Sequence, residues 1–233
     1  VPRVLAGAFT NPDLNYSVPL GRRSITFQGL PFAGIEVKTL VDTLSNIISF
    51  IDQDFSLSAV RSRLNEYDII HFATHAAFIP GNPEDSFILF GNGDRPTLAD
   101  VRDWSLSNVD LVVLSACETG LGGFGNGEEI LGLGYQFQRA GARAVIASLW
   151  SVSDGGTQTL MNAFYSGLTQ GMSKTRALQQ AQIALITGDF SALGEQRAGI
   201  EIVSTLTNQP LSPGGSLAHP YYWAPFILIG NGL

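Results

Sequence analysis

The chain has 233 residues, 45% hydrophobic and 14% charged, with 13 basic against 20 acidic side chains and a net charge of −7. This composition supports a sizeable core and excludes wholesale disorder; the acidic balance argues against nucleic acid or an anionic membrane as a main partner. No apolar run reaches the length of a membrane span, the start is not a signal peptide, and one cysteine excludes an internal disulfide framework and a multi-thiolate metal site.

Arg3–Phe9 (RVLAGAF) reads as a first strand, closed by the turn signal Asn11-Pro12-Asp13. Residues 13–30 are polar and read as a loop. Pro31 suits the approach to a helix whose apolar positions are Val37, Leu40, Val41, Leu44, Ile47 and Ile48. A short strand at Ser49–Ile51 and a helix from Ser56 to Leu64 follow. Asp68–Ala73 (DIIHFA) is a buried strand running out into Thr74-His75-Ala76, and Phe87–Phe90 suggests a hairpin projecting from the sheet.

Leu111–Ala116 is the run around which the chain is organised. Its Leu111–Leu114 part is uninterruptedly apolar, the habit of a strand buried on both faces of a parallel sheet, and it leads through Cys117 into a glycine-rich loop. A helix from Gly127 to Gly141 presents Ile130, Leu133, Gly134 and Phe137 on one face. Arg143–Trp150 is another buried strand. Thr157, Leu160, Met161, Phe164 and Leu168 mark a further helix, and Ser173 caps the next, which ends at Gly188. Residues 189–219 read as a surface excursion, and Tyr222–Ile229 as a closing strand that Pro225 confines to an edge. Strands alternate with helices, so the class is α/β with a mostly parallel sheet. Residues 1–233 form one expected domain, and the strand-like start without an initiator Met suggests a piece of a longer protein.

Cys117 has two readings, a buried small hydrophobe at a strand end or a nucleophile facing a cleft. A thiol of ordinary pKa needs a base or cation nearby to react at neutral pH. Of the three histidines, His219 reads as a surface residue and His71 as a core one. His75, at a strand end and followed by two alanines, is the best-placed base. A metal site from His71, His75 and Cys117 is discounted, because residues four apart on a strand are roughly 13 Å apart. Gly120, Gly122 and Gly125 match a dinucleotide fingerprint only literally, since about ten residues separate strand from helix where the fingerprint needs a tight turn.

HFATHAAF, LVVLSACETGLGG, GARAVIASLWSVSD, LMNAFYSGL and HPYYWAPFILIGN together resemble the CHAT domain, a caspase-like module often found behind tetratricopeptide repeats. The resemblance covers most of the chain from Leu64 onward. It implies a caspase-like sandwich, a mostly parallel central sheet flanked by helices, in which a catalytic histidine and cysteine end adjacent strands. By motif these are His75 and Cys117, with backbone amides at Ala76 and Cys117 for the oxyanion. Ala76 stands where the family often has glycine, and Ser115 where the related metacaspases carry an acid that holds a basic substrate side chain.

The expected function is therefore a cysteine endopeptidase of the reducing cytoplasm that needs no cofactor. The alternative is a catalytically silent scaffold that keeps the fold. SLWSVSD also resembles the separase stretch whose acid contacts the arginine before the scissile bond. It makes Asp154, with Ser115 and Trp150, the expected substrate-contacting set and favours cleavage after Arg or Lys. Asp154 before Gly-Gly-Thr reads equally as a helix N-cap. Expected partners are a protein or peptide substrate and an upstream repeat domain or activating partner, with neither nucleic acid nor membrane. A monomer is favoured, because Pro225 interrupts the closing edge.

Overall fold

The computed structural model describes residues 2–20, 23–79, 84–119, 128–150, 152, 154–193 and 217–233. The first half runs β1 (Val4–Ala8), β2 (Asn15–Leu20), β3 (Arg23–Gln28), α1 (Pro31–Thr43), β4 (Ile47–Ile51), α2 (Leu57–Arg61), β5 (Ile69–Phe78) and β6 (Phe87–Ile88). The second half runs α3 (Leu98–Val101), β7 (Leu111–Thr119), α4 (Glu128–Arg139), β8 (Ala144–Ser148), α5 (Asp154–Thr169), α6 (Lys174–Thr187), α7 (Pro220–Trp223) and β9 (Phe226–Gly230).

Among the described residues a seven-stranded sheet is ordered β4-β1-β5-β7-β8-β9, with β6 attached to β5. The pairs from β4 to β8 are parallel, whereas β9 runs antiparallel on β8 and β6 antiparallel on β5. Every residue of β1, β5 and β8 is buried, which is why those segments are mostly apolar on both faces. One face of the sheet packs Leu64, Trp104, Leu133 and Phe137 against Phe72, Leu114 and Val145. The other packs Leu40, Leu160, Phe164 and Ala181 against Val113 and Ile146. Each such fully buried Leu or Phe contributes about 1.5–3 kcal/mol relative to exposure.

Three segments differ from the expectations above. Residues 13–30 are not a loop but an antiparallel hairpin, β2 on β3, pairing Asn15 with Gln28 through to Leu20 with Arg23. Val18 and Phe27 face inward, packed with Phe9, Ala77 and Leu89. The helix that was to run to Ile48 stops at Thr43, and Ile47–Ile51 form the edge strand β4. Tyr222 and Trp223 belong to the short helix α7, capped by His219, so the last strand starts only at Phe226. The helix expected over Ser56–Leu64 is the shorter α2, with Ser56 as its N-cap accepting the Ala59 N–H, whereas Ser173 caps α6 as expected by accepting the Arg176 N–H, and Gly188 closes α6 at φ 70°.

His71 is a core residue with both ring nitrogens engaged. It is fully buried beside Glu36 of α1 and Tyr165 of α5, each about 1% exposed. Nδ1 lies 3.0 Å from the Tyr165 hydroxyl, and Nε2 lies 2.7 Å from Glu36 Oε1. The second contact is an ion-pair approach that misses good hydrogen-bond alignment. This unit ties α1 and α5 to β5, four residues before His75 on the same strand.

Candidate active site at the carboxyl ends of β5 and β7

Because β5 and β7 are parallel, their carboxyl ends open on the same edge of the sheet, where open α/β folds place their ligands. Their register runs evenly to Phe72 opposite Leu114, shifts, and resumes with His75 opposite Ala116 and Ala76 opposite Cys117. Three residues of β5 thus span two of β7, a bulge that re-aims the strand end. With strands about 4.8 Å apart and a rise of about 3.3 Å per residue, the backbone positions of His75 and Cys117 lie about 6 Å apart.

The His75 ring is 7% exposed, set against Phe27 at 5.1 Å and edge-on to Phe9 at 6.3 Å between centroids. Its Nε2 is 2.7 Å from the backbone carbonyl oxygen of Gln28, the last residue of β3. A carbonyl can only accept, so Nε2 carries the proton and, in the neutral ring, the lone pair lies on Nδ1. The strand around it is anchored on its other flank: the Leu89 N–H donates to His75 O at 2.9 Å, and the Thr74 hydroxyl to Leu89 O at 2.5 Å. Ala76 is fully buried and paired on both sides, with Ile88 and with Cys117.

The other residues singled out from sequence lie on or beside the neighbouring strands. Ser115 sits on β7, 1% exposed, and its Oγ has no hydrogen-bond partner among the described residues. Trp150 follows β8, which pairs with β7, and is 37% exposed. Its Nε1–H donates to Tyr221 O at 3.3 Å, and the Leu149 N–H donates to Pro225 O at 2.9 Å, so the segment after β8 is held by the chain entering β9. Asp154 is the first residue of α5. The glycine-rich stretch 120–127 lies outside the described residues.

The group that orients His75 is not a side chain. That group is the Gln28 backbone carbonyl, which no side-chain pattern announces. The available signal was the alternation Ile25, Phe27 on one face of β3, which marks the hairpin but not its role.

A mostly parallel sheet flanked by helices, with strand-end His and Cys positions side by side, defines a caspase-like α/β protein. The chain belongs to the CHAT domain family, whose profile matches residues 7–231. Tetratricopeptide repeat protein 28 of Homo sapiens is 26% identical over 209 residues, covering 74% of this chain and 7% of that protein; the Mus musculus protein is similar to the same extent. The chain therefore spans a small part of the length of the curated relatives it matches. Among solved structures, the Arg specific cysteine proteinase gingipain R superposes with a TM-score of 0.50 at 12% identity, over 86% of this chain and 44% of that one. At that identity the likeness is one of fold.

Proposed function

We propose that the chain is a cysteine endopeptidase in which His75 is the general base and Cys117 the nucleophile. One observation supports the reading: the His75 ring is oriented through Nε2 by a backbone carbonyl and stands on the strand next to the Cys117 position, so Nδ1 is the nitrogen proposed to exchange the proton. Nδ1 takes the Sγ proton, and the thiolate attacks the peptide carbonyl carbon. Backbone N–H groups at Ala76 and Cys117 stabilise the oxyanion. The C–N bond breaks as the imidazolium returns its proton to the leaving amine. Water, deprotonated by the same nitrogen, then hydrolyses the thioester, and the sulfur regains its proton. No cofactor enters.

The substrate side of the reading is cleavage after Arg or Lys. Asp154 begins the helix that follows β8, and Ser115 and Trp150 sit on or beside strands next to the same edge. The neighbour in fold, gingipain R, is described as Arg specific. A net charge of −7 also favours basic peptides, in a salt-dependent way. The protein acts as a cytoplasmic monomer attached to or activated by a repeat domain; among the described residues no helix is long and apolar enough to cross a membrane.

The test is covalent labelling with a peptidyl chloromethyl ketone ending in Arg, read by intact mass and peptide mapping. One adduct on Cys117, slowed in His75→Gln, is expected. A parent protein that never acquires the adduct fits the silent scaffold instead.

A further inference from the structure

We infer that Asp52 is a positioning residue for His75, acting through two backbone segments that fix the Gln28 carbonyl; this rests on reading His75 as the base. Asp52 directly follows β4 and opens a short 3-10 turn. It is the one non-glycine residue with positive φ, 49°, among the described residues. That left-handed conformation is disfavoured for most side chains and best tolerated by Gly, Asn and Asp. The carboxylate it sets in place is fully used. Oδ1 accepts the Thr10 N–H at 2.6 Å and the Asn11 N–H at 3.0 Å, and Oδ2 accepts the Thr10 hydroxyl at 2.9 Å. These amides lie beyond the end of β1, where no strand pairs with them, so Asp52 supplies their acceptor.

The segment so held is itself clamped onto the end of the hairpin. Phe9 O accepts the Leu30 N–H at 2.8 Å, Asn11 O accepts the Leu14 N–H at 3.1 Å, and Leu14 O accepts the Gly29 N–H at 3.3 Å. Gly29 approaches Asn11 so closely that a Cβ there would lie 2.2 Å from the Asn11 oxygen. Gln28 is the adjoining residue, and its carbonyl meets His75 Nε2 at 2.7 Å. A two-stranded hairpin has little stability of its own, so its docking on the end of β1 decides where that carbonyl sits. Asp52 reaches His75 through Thr10–Asn11, then Gly29, then Gln28. Loss of its carboxylate frees the carbonyl and with it the choice of imidazole tautomer.

The experiment compares the parent protein with Asp52→Gly, which accepts the same φ but supplies no acceptor, and Asp52→Asn, whose Oδ1 keeps both backbone amides. Long-range 15N–1H spectra of the imidazoles report which nitrogen carries the proton whether or not the protein cleaves peptides; His71 and His219 are internal controls. The parent and Asp52→Asn should hold His75 in the Nε2–H form, and Asp52→Gly should mix the tautomers while the control signals stay in place. In peptide cleavage, Asp52→Gly should lower kcat about tenfold to a hundredfold with KM little changed, and Asp52→Asn should recover most of it. Should Asp52→Gly not fold, Thr10→Ala, which removes only the hydroxyl bond, should shift the tautomer ratio the same way to a smaller degree. A folded Asp52→Gly or Thr10→Ala with the parent tautomer overturns the inference. The spectral change in a protein that cleaves nothing sustains it and overturns the peptidase reading alone.

Discussion

Glu36 and His71 meet at 2.7 Å in a site where neither is more than 1% exposed, with the Tyr165 hydroxyl 3.0 Å from the other ring nitrogen. Three polar side chains from α1, β5 and α5 thus meet in an otherwise apolar layer, through one hydrogen bond and one close ion-pair approach. Removing one partner of such a group leaves the others unpaired and buried. Glu36→Ala is expected to cost about 3–5 kcal/mol and Tyr165→Phe about 1–3 kcal/mol, measured by urea unfolding.

Tyr165 adds a pH dependence. Burial first, and then the nearby Glu36, push its hydroxyl well above the ordinary 10.0. In the unfolded chain the phenol ionises near pH 10 while the folded protein keeps its proton. Stability from this group is therefore complete below about pH 10 and falls as pH rises further, by about 1.4 kcal/mol per unit. Tyr165→Phe lacks this loss, so the stability gap between parent and variant should narrow between about pH 9 and about pH 11. A constant gap would show that the phenol is not held neutral.

Replacing His75 tests two roles at once. The ring packs on Phe27 and Phe9 and is 7% exposed. His75→Ala should therefore cost about 2–4 kcal/mol of packing, whereas His75→Gln keeps more of the volume. Both should slow cleavage roughly 10²–10⁴-fold, the usual contribution of a positioned base. Thermal melts beside initial rates separate the two effects.

Ser115 presents a buried hydroxyl with no partner among the described residues. Ser115→Ala should leave the melting temperature equal to or above that of the parent, since a buried unpaired hydroxyl is unfavourable. If the hydroxyl meets substrate, KM for peptides rises about twofold to tenfold, the worth of one hydrogen bond. An unchanged KM would remove Ser115 from the substrate-contacting set.

The proposed specificity for Arg or Lys rests on Asp154. Asp154→Asn should depress turnover of Arg peptides about tenfold to a hundredfold and leave neutral peptides unaffected, as expected for loss of a charge-assisted contact. Equal loss on both substrate types with a lowered melting temperature would reduce Asp154 to its place in the first turn of α5.

The buried strands were legible because their surroundings impose one pattern. VLAGA, DIIHFA and RAVIAS are largely apolar, as a strand covered on both faces requires. Two such runs, β7 and β8, pair in parallel in the structure. The hairpin at 15–28 was missed because its alternation spans only Tyr16, Val18 and Ile25, Phe27, with Pro19 between. Ile47 and Ile48 continued the helical spacing of α1 although the chain had already turned; edge pairing with β1, a long-range contact, decides them. The candidate site divides the same way. His75 and Cys117 are side chains in recognisable motifs, whereas the Gln28 carbonyl is backbone placed by tertiary docking, and no residue type records it.

The most direct measurement is kcat/KM of the purified protein on a panel of Arg, Lys, Asp and neutral peptides, parent against Cys117→Ala. Cleavage after Arg or Lys by the parent, reduced by at least about 10²–10⁴-fold in Cys117→Ala with an unchanged fold, is the predicted result. A Cys117→Ala protein that cleaves as fast as the parent would contradict the assignment.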